Sequence, residues 1–593
     1  MNFLKKHKKK LIIGAILIIV LAAAAPTIIA AIGKLYTAQE TVIRTDWTTD
    51  IGEIVDQDEE LQIEYAQAVL GDSVRALQLV PMDIEEEGFT YYDTEVQGRL
   101  EQALENLKGG DMSWTATTPL IVLNPYGTGS NGLYLYFETD HKTQVTYTIH
   151  VEDEDIPDYT ALAQEADGEE FTNVHEFQII GLVPGETNQV TMEVKGSWGN
   201  VRQSVSFTVE MPETQSGYAT RLETTDGDSG EALSDGLYAM MRVNGYLGYG
   251  FFFDNDGILR YEMALEGFGM DRILNWNQDL ITCVSASKLA RINGLGQVEQ
   301  VYDLGNYELH HDIGFGQDGE LLVLAEDTEG ETVEDLVLSI DMESGEVTEL
   351  IDFTEILPDY FAITRPIKAT DDMFWQAGEW DWIHLNSLQY MEEDDSLIVS
   401  SRETSTIIKV KNIHGEIELD WMAGDDGFWA DTPYAEYCLE MDGDFVPQYG
   451  QHCVEYLRDG DEDGVYYLAV YNNNYWSVSS RDDYEPDLAD SVGTKLYGTG
   501  DETSQVYVYR IDENARTFSL ESSFDVPYSS IVSNGSQYGE EEHWVVNSGV
   551  SKVFGEYDSE GNLIREYAYD CDMQNYRTFK YDMEGIWFAG AVD

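Results

Sequence analysis

The sequence predicts an all-β protein in which a six-bladed β-propeller over residues 220–593 follows a small β-sandwich over residues 113–215. Two observations predict this fold. A phrase made of an apolar strand end, a tight turn and a second strand recurs six times after about residue 220. Short alternating apolar runs precede it, which is typical of a sandwich of the fibronectin III or immunoglobulin type. The chain of 593 residues, 43% of them hydrophobic, is long enough for both domains.

The repeated phrase is typical of the outer hairpin of a propeller blade. The turn positions of the six copies are Gly257, Gly296, Gly345, Gly415, Ala515 and Gly561. Glycine is the natural residue where a turn needs a positive φ, and six four-stranded blades around an axis form a propeller. The longest interval lies between the fourth and fifth turns, which predicts a large insertion in blade five. The tail YRTFKYDMEGIWF has strand character and is expected to help close the ring.

The region before the sandwich has two parts. Residues 37–112 are expected to be a partly helical juxtamembrane segment, because apolar residues recur at helical spacing over residues 59–79 and 95–107. Residues 1–36 are expected to be a transmembrane anchor or a signal peptide. Their basic residues precede an apolar run over residues 11–32 and are Lys5, Lys6, Lys8, Lys9 and Lys10.

The apolar run is long enough to span a bilayer, which needs about 20 residues. The lysines should stay inside and the rest should be exported. A signal peptide usually has an apolar core of only about 7–15 residues. An uncleaved anchor is therefore favoured and a cleaved signal peptide stays the alternative. We expect the protein at the extracellular face of the cell membrane, or secreted.

The chain is strongly acidic, with 33 basic against 112 acidic residues and a net charge of −79. Nucleic acid is excluded as a partner, because phosphate binding needs clustered Lys and Arg. The acidity is interpreted as a solvated surface that keeps an exported protein soluble. In such a chain an Arg or a His within matched motifs is more informative than usual.

Four cysteines occur, and outside the cell they can form disulfides. Cys438 and Cys453 lie close in sequence and are expected to pair and to brace the loop beside His452. The alternative is four buried free thiols. No cysteine spacing resembles a zinc site, and no metal is expected.

Four histidines recur near the start of successive blades. They are His310 and His311 in blade three, His384 in blade four and His452 in blade five. The segment HHDIGFGQDGELLVLAED aligns with HLNSLQYMEEDDSLIVSSRE, and more loosely with QHCVEYLRDGDEDGVYYLAVYNN. Equivalent positions of successive blades face the same central channel. We therefore expect these imidazoles to converge in space.

Three polar residues accompany the histidines. Arg402 is expected at the end of the inner strand of blade four, and Asn386 points the same way as the histidine two residues before it. Asp312 is expected to orient one imidazole. Imidazoles, a carboxamide and a guanidinium together suit an oxyanion with several oxygens, such as phosphate or sulfate.

The ordered motifs HHD, DWIHLNS…SSR and GQH resemble those of the bacterial arylsulfate sulfotransferases. The resemblance covers the propeller, and the preceding sandwich also fits the family's architecture. It implies that His452 is a nucleophile that becomes transiently sulfated, that His384, Asn386 and Arg402 bind the sulfuryl oxygens, and that a histidine of the HHD pair acts as acid or base. The choice between His310 and His311 stays open.

The resemblance also implies the substrates. Donors are phenolic sulfate esters, acceptors are phenols, and transfer is ping-pong without a nucleotide sulfate donor or other cofactor. In agreement, the sequence has no P-loop or other nucleotide fingerprint. The resemblance allows a homodimer without fixing the oligomeric state.

Two other functions stay open from the sequence. A non-catalytic propeller would bind a ligand in its channel or on one face, but it does not need an ordered set of His and Arg residues. A metal-dependent hydrolase or lyase would hold a metal ion through the channel histidines.

Overall fold

A computed structural model describes residues 40–42, 53–70, 74–82, 91–110, 112–241, 248–267, 272–571 and 574–590. The predicted anchor over residues 11–32 lies outside the described residues. Among the helices that are described, none combines the length and the apolar character needed to cross a membrane.

The predicted six-bladed β-propeller is confirmed. Each blade is an antiparallel sheet of four strands, named here first to fourth from the channel outward. The first strands of blades one to six are Phe579–Tyr581, Ile273–Trp276, Tyr307–Phe315, Leu385–Met391, His452–Asp459 and Asn534–Tyr538. The second strands are Leu237–Met240, Asp279–Ser285, Leu321–Asp327, Ser396–Ser401, Val465–Asn472 and His543–Ser548.

The outer strands complete the blades. The third strands are Tyr249–Phe253, Lys288–Ile292, Leu336–Ile340, Thr406–Lys411, Thr503–Asp512 and Val553–Tyr557. The fourth strands are Leu259–Ala264, Val298–Asp303, Val347–Asp352, Glu418–Gly424, Thr517–Pro527 and Leu563–Ala568. Glu440–Met441 adds a fifth strand to blade five, and Glu223–Asp226 adds one to blade six.

The six repeated turns join the third and fourth strands, as predicted. Four of the turn glycines have the positive φ that favours glycine: Gly257 (73°), Gly296 (85°), Gly345 (74°) and Gly561 (84°). In blades four and five a neighbouring residue takes this conformation, Asn412 (55°) or Arg516 (59°). The repeat therefore specifies a hairpin but allows the left-handed residue to move within it.

The ring closes with strands from both ends of the propeller sequence. The tail strand Phe579–Tyr581 pairs with Leu237–Met240 and becomes the first strand of blade one, while Glu223–Asp226 pairs with Leu563–Ala568 at the outer edge of blade six. The predicted contribution of the tail to closure is confirmed.

Long connections lie between blades three and five, and they carry the short helices Phe353–Ile356, Pro358–Phe361 and Asp426–Trp429. Five 3₁₀ turns complete the description of the propeller's helical segments: Gln317–Gly319, Phe374–Gln376, Glu392–Asp394, Ala435–Tyr437 and Gly549–Ser551. The insertion predicted for blade five corresponds to two connections, over residues 425–451 and 473–502.

The sandwich is built around one long strand, Leu133–Val151. Its first half lies between Leu120–Leu123 and Thr172–Ile179, and its second half lies between Thr187–Gly196 and Tyr159–Leu162. The sheet continues through Val201–Glu210 to Glu40–Val42 on one side, and through Val74–Pro81, Ile63–Leu70 and Glu53–Asp58 on the other.

The helix expected over residues 59–79 is wrong, because this stretch forms the strands Ile63–Leu70 and Val74–Pro81. Tyr65, Ala66 and Ala68, which occupy both faces of the first strand, are all buried. A strand buried on both faces lacks the alternating pattern that distinguishes it from a helix.

The second predicted helix is observed at Thr94–Lys108, with Asp93 as its N-cap accepting hydrogen bonds from the Glu95 and Val96 amides. Leu100 and Leu104 are among its buried residues and join the core that the sandwich shares with blades one and two. The helix therefore belongs to the packed body of the protein.

The predicted disulfide between Cys438 and Cys453 is wrong, since both residues lie in the described part of the chain and neither forms a disulfide. The backbone of Cys438 forms an isolated β-bridge with Met422 on the fourth strand of blade four. Cys453 lies on the first strand of blade five, with its Sγ 3.5 Å from Glu455 Oε1. Proximity in sequence misled the prediction, because residues 438–453 run from the outer edge of the propeller to its channel.

Candidate active site

The channel histidines lie where the first strands of three successive blades depart from regular pairing. The register shifts lie between Leu309 and Ile313, between Leu385 and Ser387, and between His452 and Glu455. A residue with positive φ occurs at each place: His311 (59°), His384 (48°) and Cys453 (53°). Irregular pairing of this kind re-aims side chains and is frequent beside active sites.

These irregularities bring the four histidines together. The ring centroids of His310 and His311 are 5.0 Å apart, those of His311 and His384 are 5.0 Å apart, and those of His384 and His452 are 6.5 Å apart. The ring of Tyr576 lies 5.2 Å from that of His311 and 6.2 Å from that of His452. Residues from blades three, four and five and from the closing tail thus meet in one cluster.

His452 has a defined tautomer. The Asn473 amide group donates through Nδ2 to the carbonyl oxygens of Ser529 (2.7 Å) and Val532 (2.9 Å). Its Oδ1 must therefore be the atom 2.8 Å from His452 Nδ1, and it accepts the Nδ1 hydrogen. Nε2 of the neutral ring keeps its lone pair. The pKa of His452 is well below its usual range because the ring is buried, and Arg402 and His384 lower it further.

His384 lies in the opposite electrostatic environment. Its Nδ1 is 2.6 Å from Asp381 Oδ2 and 2.5 Å from Glu334 Oε2. Burial alone would lower its pKa, but the two carboxylates outweigh burial and raise the pKa to about 10. The cluster therefore combines one imidazole that favours the charged form with others that favour the neutral form.

His310 and His311 differ in position. Their Nδ1 atoms are 2.8 Å apart, so only one of the two can donate. Burial lowers the pKa of His310 to about 3 and that of His311 well below its usual range. His311 makes the ring contacts with His384 and Tyr576, whereas His310 lies behind it. The geometry separates two histidines that the sequence left equivalent.

Arg402 is a buried guanidinium group available for an anion. It directly follows the second strand of blade four, Ser396–Ser401, which is the IVSSR strand named from the sequence. Its backbone N–H donates to the His384 carbonyl oxygen at 3.0 Å, and its Nη2 lies 3.1 Å from Met373 Sδ. The residue is 5% exposed, and within the described part of the chain it forms no ion pair. A buried positive charge without a carboxylate partner favours the binding of an anionic ligand.

Asn386 is buried in the same cluster. Its Nδ2 donates to the Gln451 carbonyl oxygen at 2.8 Å, directly before His452 in the chain. One amide hydrogen remains for a ligand, and Oδ1 lacks a hydrogen-bond partner among the described residues.

Asp312 has a structural role that the sequence prediction missed. It forms no hydrogen bond to an imidazole in the described structure, and instead pairs with Arg577 (3.0 Å) and Arg272 (2.7 Å). Two guanidinium groups compete for this carboxylate, so it is not free to orient a ring. Arg577 also donates to the Asn386 carbonyl oxygen at 2.6 Å and so joins the closing tail to the cluster.

Sequence reasoning missed Glu334, Asp381, Asn473 and Arg577. Asp381 opens the motif DWIHLNS and Asn473 ends the aligned segment of blade five, but the sequence does not give their contacts. Glu334 lies in a connection outside both segments. For Arg577 a signal existed, since it is one of few basic residues in an acidic chain and lies in the tail predicted to close the ring.

Among the residues that the structure describes, two groups of side chains have the composition of a metal site. The ligand atoms of His311, Glu334 and His384 lie within 4.8 Å of one another. Their closest contact is 2.5 Å, between His384 Nδ1 and Glu334 Oε2. The one hydrogen that Nδ1 can carry is paired with Asp381, and Glu334 Oε2 has no hydrogen-bond partner among the described residues. Asp394, Asp420 and Glu513 form the second group, and Lys409 Nζ already lies 2.7 Å from two of these carboxylates.

Comparison with known families gives two matches. A family model described as "Arylsulfotransferase (ASST)" matches residues 223–584, which include every residue of the cluster. A second, described as "Arylsulfotransferase Ig-like domain", matches residues 120–212. No curated protein matches the chain significantly.

Solved structures resemble the chain only distantly. A protein of unknown function from Bacteroides caccae has 9% identity and a TM-score of 0.32, covering 58% of this chain and 98% of that one. A functionally unknown protein from Desulfotomaculum acetoxidans has 8% identity and a TM-score of 0.32, with coverages of 58% and 98%. An auxiliary nutrient binding protein from Bacteroides ovatus has 11% identity and a TM-score of 0.29, with coverages of 78% and 94%. These likenesses carry no functional argument.

Proposed function

Because the chain belongs to the arylsulfotransferase family, we propose that it transfers a sulfuryl group from a phenolic sulfate ester to a phenol, by a ping-pong mechanism through His452. Membership defines the reaction class as sulfuryl transfer, and it implies the phenolic donor and acceptor. The nucleophile and the covalent intermediate are our assignment.

The hydrogen bond from His452 to Asn473 carries this assignment. A nucleophilic imidazole must be neutral and must present an unprotonated nitrogen to the sulfur atom. The fixed amide of Asn473 holds the hydrogen on Nδ1, which leaves the lone pair on Nε2. The pKa of His452, well below its usual range, keeps the ring neutral at physiological pH.

In the first half-reaction, an N–S bond forms between His452 Nε2 and the sulfur as the S–O bond to the phenolate breaks. Sulfuryl transfer should resemble phosphoryl transfer, with negative charge spread over the equatorial oxygens. Arg402, His384 and the free amide hydrogen of Asn386 are the groups that would hold these oxygens. Preorganised donors of this kind stabilise the charge that develops in the transition state.

The departing phenolate takes a proton, and we assign its transfer to His311. Without substrate this imidazole is neutral, since burial lowers its pKa. An anionic sulfate ester bound beside it raises that pKa and favours uptake of a proton. In the second half-reaction the acceptor phenol attacks sulfur, the N–S bond breaks, and the phenol proton returns to the same ring.

The location is proposed together with the activity. The apolar run over residues 11–32 and the lysines before it support an enzyme anchored at, or released from, the extracellular face of the cell membrane.

The full chain mixed with 4-nitrophenyl sulfate, with and without an added phenol, tests the proposal. We expect nitrophenolate release that depends on the phenol, and, without acceptor, a peptide containing His452 that carries the mass of one SO₃ group. His452→Ala should abolish both signals, while an exposed histidine of the sandwich, replaced in His141→Ala, should leave both intact. Without acceptor, forming the sulfated enzyme releases one equivalent of nitrophenolate, and continued release beyond that equivalent would indicate a sulfatase. Loss of activity with a chelator would indicate the metal-dependent alternative, and no release with any acceptor would favour a binding propeller.

A further inference from the structure

His384 receives two carboxylates on a single nitrogen, and they come from different parts of the propeller. Glu334 lies in the connection between the second and third strands of blade three, and Asp381 precedes the first strand of blade four. Their oxygens are 2.5 and 2.6 Å from Nδ1. Asp381 is 1% exposed and His384 is 6% exposed, so solvent does not screen these contacts.

The number of protons constrains this arrangement. Nδ1 carries at most one hydrogen, so a neutral imidazole would leave two negative carboxylates facing each other in a buried site. A positive imidazolium offsets one of these charges. Burial and like-charge contact with Asp381 raise the pKa of Glu334, as expected for crowded carboxylates.

The backbone holds Glu334 in this position. Glu334 has a φ of 59°, in the left-handed region that non-glycine residues rarely adopt. Its carbonyl oxygen accepts a hydrogen bond from Leu385 N at 3.1 Å, which joins the blade-three connection to the residue after His384. Strained backbone of this kind is concentrated at functional sites.

Other charged and titratable groups around His384 do not replace the two carboxylates. Arg402 disfavours the imidazolium, while His310, His311 and His452 have lowered pKa values and are neutral. The charged and titratable side chains around His384 are Glu334, Glu379, Asp381, Arg402, His310, His311 and His452.

We propose that Glu334, acting with Asp381, is a positioning residue that keeps His384 protonated, so that His384 is a fixed cation of the site and not its acid or base. The inference rests on the proposed function, because the sulfuryl group is the anion that this cation meets. With Nδ1 held by the carboxylates, the Nε2 hydrogen on the opposite edge of the ring is the one left to donate.

The first test follows the histidine signals of the full chain by NMR, without substrate, and assigns His384 from the signal that His384→Gln lacks. We expect the ring to stay protonated up to about pH 9, since its pKa is raised to about 10. Glu334→Gln should lower this pKa by about 1–3 units, the usual effect of one adjacent opposite charge. Glu346→Gln is the control, since it removes an exposed acid from the outer turn of the same blade.

The second test measures kcat/KM for an aryl sulfate against pH. In Glu334→Gln the alkaline loss of activity should move toward neutral pH by the same interval as the NMR titration, and Glu334→Asp should restore part of it. If Glu334→Gln does not fold, Asp381→Asn provides the same comparison. A wild-type His384 that titrates near its ordinary pKa, or a titration unchanged in both variants, overturns the inference. The expected titration in a protein that cleaves no aryl sulfate would refute the proposed function and support the charge assignment.

Discussion

Asn473 Oδ1 accepts the Nδ1 hydrogen of His452 at a distance of 2.8 Å, and two backbone carbonyls hold the amide in that orientation. The tautomer of the proposed nucleophile is thus determined by a side chain from the connection after the second strand of blade five. This contact links the fold of a long loop directly to the chemistry at the channel.

We expect Asn473→Leu to lower kcat about tenfold to a hundredfold, the range found when the partner that orients a functional imidazole is removed. Asn473→Asp should instead raise the pKa of His452 and move the acidic loss of activity to higher pH, because a carboxylate favours the imidazolium. Steady-state rates between acidic and neutral pH check both effects. Equal rates in wild type and Asn473→Leu would contradict the tautomer assignment.

Arg402→Met should lower kcat/KM for an aryl sulfate about 10²–10³-fold, as expected for one lost contact to a developing oxyanion. Arg402→Lys should retain part of the activity, because it keeps the charge and loses the fork of donors. Arg458→Met, which changes an exposed arginine in blade five, is the control and should behave as wild type. If Arg402→Met were as active as the control, Arg402 would not bind the sulfuryl group.

Arg577→Met should destabilise the protein by about 3–5 kcal/mol, because it removes one partner of a fully buried ion pair. Asp312 keeps Arg272 as a partner, so the loss belongs near the lower end of that range. Urea unfolding followed by tryptophan fluorescence gives the free energy. Arg565→Met, at an exposed ion pair of blade six, should cost less than about 1 kcal/mol.

The free energy of unfolding should depend on pH through Glu556, which lies beside the closing strand of the ring. This residue is 0% exposed and lies 2.7 Å from Lys580 Nζ. Burial alone would raise its pKa, but Lys580 outweighs burial and lowers the pKa to about 2. Because the folded pKa lies below the ordinary value of 4.5, the stabilisation is present above pH 4.5 and is lost as pH falls toward 2. The loss amounts to about 3 kcal/mol.

Unfolding free energies of wild type and Glu556→Gln at several acidic pH values test this dependence. The difference between the two proteins should shrink as pH falls through that window, while Lys580 stays protonated in both the folded and the unfolded state. A difference that does not change with pH would show that Glu556 contributes nothing through its charge.

Thiol counting checks the corrected cysteine assignment. Without reductant, the denatured protein should react with four equivalents of a thiol reagent. Replacing Cys438 by Ala should leave the unfolding midpoint nearly unchanged, because its thiol is only half-buried and forms no disulfide. A reaction with only two equivalents would show that one disulfide is present.

The propeller was predictable because its outer hairpins repeat one local turn, and a local turn is visible in sequence. Convergence of the four histidines followed from the same repeat. The helix expected over residues 59–79 failed because both faces of Ile63–Leu70 are covered, which removes the period that identifies a strand.

The partners of the histidines were not predictable for a different reason. Glu334 and Asn473 lie in connections between strands. Glu334 contacts His384, which is 50 positions away in the chain, and Asn473 contacts His452, which is 21 positions away. No periodic pattern relates such positions. The pairing of Asp312 with Arg577 joins blade three to the closing tail and depends on where the tail strand docks.

Docking of the strand Phe579–Tyr581 into blade one also makes the last part of the propeller sequence a condition for activity. The segment directly before this strand contributes Tyr576 and Arg577 to the channel cluster. A chain that stopped before residue 574 would lack both side chains and the first strand of blade one, so it should be inactive although it keeps the four histidines.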